Sequence, residues 1–198
     1  MSQPEKKFIS HLDYLEMEKT AECKSEYYHG EIFAMTGASV HHNLITSNVI
    51  TSLNIALRDS DCFVFPGDMK VQIDAAMHYA YPDVSVVCGQ IEFAENRNDI
   101  VTNPVLIVEV LSESTKDYDR GSKFKAYRSI GSLRDYILID QYAYYVEYFF
   151  KNKAGKWELN EFEKLSDVFT IGSLGAELSL ETIYYRLIPI RFQKLCYP

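Results

Sequence analysis

Two short apolar runs, each interrupted by a single carboxylate, constrain this chain more than any other feature. Pro82-Asp83 leads into Val84-Ser85-Val86-Val87-Cys88. Pro104 leads into Val105-Leu106-Ile107-Val108, which runs into Glu109 and then Val110-Leu111. The length and β-branched content of both runs are those of buried strands, so each strand carries an acid that propensity does not favour there. An ionised carboxylate alone in a dry interior is costly and has to be paired or bound to a metal. Two acids on neighbouring strands suit a hard divalent cation, and such a cation can activate water against a phosphodiester.

The surrounding pattern predicts an α/β domain. Ser10 to about Lys19 reads as a short capped helix, and residues 26–35 as a hairpin turning near His29-Gly30. Ser39 to about Arg58 is a longer helix with an apolar face of Leu44, Ile45, Val49, Leu53, Ile55 and Leu57. Residues 62–65, 70–73 and 82–88 read as short strands, followed by the most buried one, 104–111. A helix from Ser112 to about Ile130 comes next, with Gly131 as its C′ residue, then a strand at 135–140. Strand, helix, strand is a right-handed crossover, so the strands at 104–111 and 135–140 are expected to be parallel. The earlier strands are joined too closely for crossovers, which makes the central sheet mixed, with helices flanking it on both sides. An antiparallel pair at 144–151 and 156–165 and a last helical stretch near 180–187 complete the chain.

At 198 residues the chain is read as one domain. Its net charge of -8 argues against a broad basic surface for nucleic acid, while leaving room for a local groove. Cys23, Cys62, Cys88 and Cys196 show no metal-binding spacing, and no secretory leader is evident. The expectation is four reduced thiols in a cytoplasmic protein. No apolar stretch approaches membrane-spanning length, so no membrane partner is expected.

Each candidate residue has a plainer reading beside the chemical one. Asp83 also fits an ordinary Pro-Asp turn. Glu109 also fits a structural ion pair with Arg128 or Arg134. Asp119, Lys123 and Tyr127 recur every four residues and share a helix face. Their helix begins where the acid-bearing strand ends, which is where open α/β sheets hold ligands, so Lys123 can point back towards Glu109. The alternative is a solvated helix with an internal Asp119–Lys123 pair. His41-His42 reads as a surface pair, and Glu26 and Glu31 read as surface acids flanking the Gly30 turn. Ser112 has no His or Asp at triad-like spacing, and no phosphate-cradling glycine loop is present.

Taken in order, several of these residues resemble a known family. They are Glu26-Tyr27, Gly30-Glu31-Ile32, Met35 and His42, then Pro82-Asp83-Val84, then Pro104 followed by Glu109-Val110-Leu111-Ser112. Thr115, Asp119, Lys123, Tyr127, Tyr136 and Asp140 complete the set. The chain is similar over residues 10–190 to the Uma-type restriction endonucleases of the PD-(D/E)XK nuclease superfamily. That resemblance implies a restriction-endonuclease-like fold, a homodimer, and DNA hydrolysis with Mg2+ or Mn2+. Asp83 matches the motif aspartate and Glu109 the second acid, and the Val110 carbonyl would complete the metal's protein ligands. Glu26 and His42 match positions near the cleft, with Asp119 and Tyr127 orienting the groups around the metal. The motif lysine, two residues after the glutamate, is replaced by Leu111, and Lys123 is the position that matches a lysine supplied from the following helix. Two other readings stay open: a nuclease-fold module that binds nucleic acid or a protein without cutting, and a structural dimer using 144–150 as an edge strand.

Overall fold

The computed structural model describes residues 8–35, 37–74 and 77–187. Helix α1 (His11–Glu18) starts at Ser10, whose side chain accepts the Asp13 N–H. Strands β1 (Ser25–Tyr28) and β2 (Glu31–Ala34) form the expected hairpin. Its turn residues His29 and Gly30 both take left-handed backbone, φ 46° and 91°, the geometry of a tight two-residue turn. Helix α2 (Val40–Ala56) is capped by Ser39, which accepts the His42 N–H. There follow β3 (Cys62–Pro66), β4 (Lys70–Asp74), β5 (His78–Ala80), β6 (Val84–Cys88), β7 (Ile100–Val101) and β8 (Leu106–Leu111).

The helix after β8 is not one regular element. It comprises α3 (Lys116–Tyr118), a π-helical turn (Asp119–Lys123) and α4 (Phe124–Tyr127). The wider turn leaves the Asp119 carbonyl to accept the Tyr136 hydroxyl at 3.0 Å. Interruptions of this kind concentrate at functional sites. The helix also ends before the expected Ile130. Its last residue is Tyr127, and Gly131 stands in the following turn without left-handed backbone. Strands β9 (Asp135–Asp140), β10 (Val146–Lys151), β11 (Trp157–Phe162), β12 (Val168–Ile171) and β13 (Ala176–Ser179) lead to the short helix α5 (Leu180–Ile183).

The strands form two main sheets rather than the single central sheet expected. The larger runs β11-β10-β9-β8-β6-β3, and the smaller β2-β1-β5-β4-β7. The larger sheet is mixed as predicted: β8 and β9 are parallel, and its other pairs are antiparallel. Strand β10 lies inside this sheet, so 144–150 is not an edge; β11 is.

Alternation along β8 divides the core. Leu106, Val108 and Val110 face α2, α5 and the β12–β13 hairpin. Ile107 and Leu111 face Phe124 and Tyr127, together with Val71, Ile73, Ala80 and Val101 of the smaller sheet. On its far side the smaller sheet packs Tyr27, Tyr79 and Ile100 against Tyr14 of α1. Glu109 shares the Ile107 face, so it points beneath the interrupted helix.

Cys62 and Cys88 lie opposite each other across β3 and β6, Cα atoms 3.9 Å apart, and are joined in a disulfide. Two of the four cysteines are therefore paired, contrary to expectation. Strand register created the pair, and spacing along the sequence gave no sign of it. Cys23 is an exposed free thiol, and Cys196 lies outside the described residues. Among the described residues no helix is long and apolar enough to cross a membrane.

Candidate active site

The antiparallel register of β6 and β8 pairs Val84 with Val108. One step further brings Asp83 opposite Glu109, on the same face of the sheet. Asp83 Oδ2 accepts the Val110 N–H at 2.7 Å and lies 3.2 Å from His42 Nε2. The first turn of α2 thus delivers a histidine to the end of β6, so His42 is not the detached surface residue its sequence context suggested.

Glu109 is almost fully buried, and neither arginine proposed as its partner reaches it. Arg134 donates to the Gly131 and Leu133 carbonyls, and Arg128 lies over the Phe124 ring. Instead Glu109 Oε1 accepts the Tyr127 hydroxyl at 3.0 Å and lies 2.9 Å from Lys123 Nζ. Lys123 Nζ also lies 2.9 Å from Glu26 Oε1 and 3.6 Å from Asp119 Oδ1. Glu26 is buried, and its Oε1 accepts the Tyr81 N–H at 3.2 Å. Glu26 was read as a surface acid because a hairpin in isolation has no inside. Pairing of β1 with β5 in the second sheet gives it one. Leu111, at the motif-lysine position, packs in the apolar cluster beside Ile107. The ammonium arrives from the π-helical turn.

Burial raises the Glu109 carboxyl well above the usual range; Lys123 opposes the rise, and Asp119, Asp83 and Glu26 add to it. Burial likewise raises Asp119, again against Lys123. Burial works against charge on Lys123, but the Glu109, Glu26 and Asp119 carboxylates outweigh it and hold the ammonium well above its ordinary value. Tyr127 is pushed up by burial and then by Glu109, so it stays a hydroxyl donor. Four carboxylates thus converge on one ammonium, leaving an excess of negative charge at a poorly solvated site.

The donor chemistry suits a hard cation. Among the described residues, Asp83 Oδ1 and Glu109 Oε2 accept no hydrogen bond, so each acid keeps a spare oxygen. In an extended strand a residue's N–H and C=O face the same edge, so the Val110 carbonyl lies on the Asp83 side with its N–H. Two carboxylates and a carbonyl form an all-oxygen set of the kind Mg2+ and Mn2+ take. Among the described residues no three His, Cys, Asp or Glu side chains form a metal cage. Any ion here would therefore keep open positions for water or substrate.

Comparison with known proteins agrees with this geometry. Residues 12–182 match the Uma2 family, described as "Putative restriction endonuclease". Two uncharacterized proteins of Synechocystis sp. are similar over most of their length. The protein sll1609 is 40% identical over 155 residues, 78% of this chain and 88% of its own. The protein slr1290 is 35% identical over 176 residues, 89% and 91% respectively. A crystal structure from Anabaena variabilis, "a putative nuclease belonging to DUF820", shares the fold with a TM-score of 0.74 at 20% identity. The match covers 89% of this chain and 97% of that one. With its mixed sheet flanked by helices, its acids at adjoining strand ends and a match across nearly the whole chain, this protein belongs to the Uma2 family and has a restriction-endonuclease-like α/β fold.

Proposed function

We propose that this protein is a divalent-metal-dependent endonuclease that hydrolyses DNA phosphodiester bonds. The observation carrying this reading is the meeting of Asp83, Glu109 and Lys123, drawn from three separate elements, with a spare oxygen on each acid. Asp83, Glu109 and the Val110 carbonyl would hold Mg2+ or Mn2+. When bound, such an ion makes water acidic enough to attack at neutral pH and draws charge from a phosphoryl oxygen.

The remaining work falls to the chain. His42 holds one oxygen of Asp83 and so directs the other outward. Tyr127 does the same for Glu109. Lys123 stands beside Glu109 with its N–H donors fixed by Glu26 and Asp119. There it can orient an attacking oxygen and stabilise the negative charge that develops on phosphorus oxygens. Preorganisation makes such a donor effective, because a free surface lysine would first have to be ordered.

The test is plasmid cleavage with Mg2+ or Mn2+ by the wild-type protein and by Glu109→Ala and Lys123→Ala. Cleavage lost in both variants supports the enzyme. Binding of Mn2+ undiminished in both Asp83→Ala and Glu109→Ala would end the reading. Leu111 at the motif-lysine position favours a second reading, a nuclease-fold module that binds DNA or a protein partner without cutting. DNA retention with no cleavage under any divalent ion would select it. A homodimer is proposed on the resemblance alone, and sedimentation would find twice the 22.8 kDa chain mass.

A further inference from the structure

We infer that the loop joining β9 to β10 is a stacking ledge for unpaired nucleobases, so the DNA delivered to the carboxylate site is single-stranded. The inference rests on the nuclease reading for its site and adds the class of substrate.

The loop is rigid and tied to the site. Asp140 Oδ1 accepts the Tyr142 and Ala143 N–H groups at 2.7 and 3.1 Å, which fixes the turn. Gln141 is buried. Its Nε2 donates to the Leu111 carbonyl at 2.7 Å, two residues past Glu109, and its Oε1 bonds the Ser39 hydroxyl. Ser39 caps α2, the helix whose first turn brings His42 to Asp83. Ledge and carboxylates therefore share one frame.

From that frame two aromatic rings project into solvent: Tyr142 is 56% exposed and Tyr144 52%. Tyr144 is propped edge-on by Tyr184, ring centroids 5.1 Å apart, and the Tyr184 hydroxyl lies 2.9 Å from the Asp140 and Tyr145 carbonyls. Tyr185 is equally exposed, with the Arg186 guanidinium 5.3 Å from its ring centre. Exposed aromatic faces held in place beside a phosphodiesterase site are stacking platforms, which accept any base because every base has a π-face. In a duplex those faces are already stacked on each other. Duplex binding relies instead on many phosphate contacts, and a chain with a net charge of -8 is poorly supplied for them.

The experiment measures binding of fluorescein-labelled oligo-dT, alone and annealed to oligo-dA, in EDTA, and cleavage of the same two substrates with Mn2+. The expected result is tighter binding and faster cleavage of the single strand. Replacing Tyr142 or Tyr144 by Ala should weaken oligo-dT binding by about fivefold or more per ring, and Phe should restore it. The melting temperature of these exposed variants should not change. Duplex bound as tightly as oligo-dT, or Ala variants that bind it like wild type, overturns the ledge. So does a shift in oligomeric state in the Ala variants without loss of DNA affinity, which would mean that a second copy covers the rings. The two readings fail separately. Duplex cleavage indifferent to both tyrosines removes the ledge and keeps the nuclease. Tyrosine-dependent oligo-dT binding with no cleavage of either substrate removes the nuclease and keeps the ledge.

Discussion

Two lysines are buried in this molecule, each among tyrosines and acids, and the difference between them separates a structural ion pair from a reactive site. Lys70 Nζ lies 3.4 Å from Glu18 Oε2 and over the rings of Tyr14 and Tyr81, at 4.5 and 5.1 Å. Glu18 is saturated: Oε1 accepts the Ser25 N–H and hydroxyl, and Oε2 accepts the Tyr81 hydroxyl as well as Lys70. There one acid meets one ammonium and neither oxygen is spare. Around Lys123 four carboxylates meet one ammonium, and two oxygens are left over. The charge states move in opposite directions. Burial lowers Lys70, whose lone partner Glu18 does not make up the difference, whereas the acids around Lys123 overcome burial. Burial would raise Glu18, but Ser25, Tyr81 and Lys70 together hold it below its ordinary value, while Glu109 is raised. What marks the second cluster as chemical is its unspent bonding capacity.

The contrast breaks first at Glu109. Glu109→Gln should lower plasmid cleavage about a hundredfold or more. Its melting temperature in EDTA should hold or rise, because one of several repelling carboxylates is gone. A large fall in melting temperature would place Glu109 with Glu18 as structural. Next, Lys70→Met should cost about 3 kcal/mol of stability in urea unfolding, by stranding Glu18, while cleavage per folded molecule stays at the wild-type rate. Lys123→Met should lose both stability and cleavage, and only that variant couples the two.

Magnesium should sharpen the comparison with a smaller effect. At a hundred times its dissociation constant, an ion that binds only the folded chain adds about 2.7 kcal/mol. That gain should appear in wild type and in Glu18→Gln and vanish in Asp83→Asn. The smallest effect is on pH dependence. A carboxyl held low in the folded state contributes stability that is present above its unfolded value of 4.5 and lost as pH falls through its folded value. Glu18→Gln should therefore be less stable than wild type at neutral pH, with the gap closing below about pH 4.5. A gap that persisted into acid would assign the loss to packing.

What the sequence made legible was local or nearly so. The β-branched runs with one acid each, the Ser10 and Ser39 caps, the His29-Gly30 turn and the parallel crossover all follow from a few adjacent residues and general handedness. Asp83, Glu109 and Lys123 were found because an acid in an apolar strand is conspicuous wherever that strand goes. Glu26 carried no such signal. Its neighbours describe a hairpin, and its burial is set by β5, some fifty residues downstream. The Cys62–Cys88 bond, the division into two sheets and the partner of Glu109 likewise depend on long-range register. The π-helical turn was hidden differently. Asp119, Lys123 and Tyr127 recur every four residues as in any α-helix, and the wider winding depends on contacts such as that between Tyr136 and the Asp119 carbonyl.

That turn has a consequence for how this chain tolerates insertion and deletion. A π-helical turn holds one residue more than an α-helical turn, so deleting a residue within 119–123 would let the helix rewind to ordinary pitch. Everything beyond would then swing by about 100° about the axis. Tyr127 would leave Glu109 and Phe124 would leave Tyr136, although no side chain had been changed. The angular phase of one short helix is thus shared by the chemistry and the core, and a single codon lost there would cost more than most substitutions on the surface.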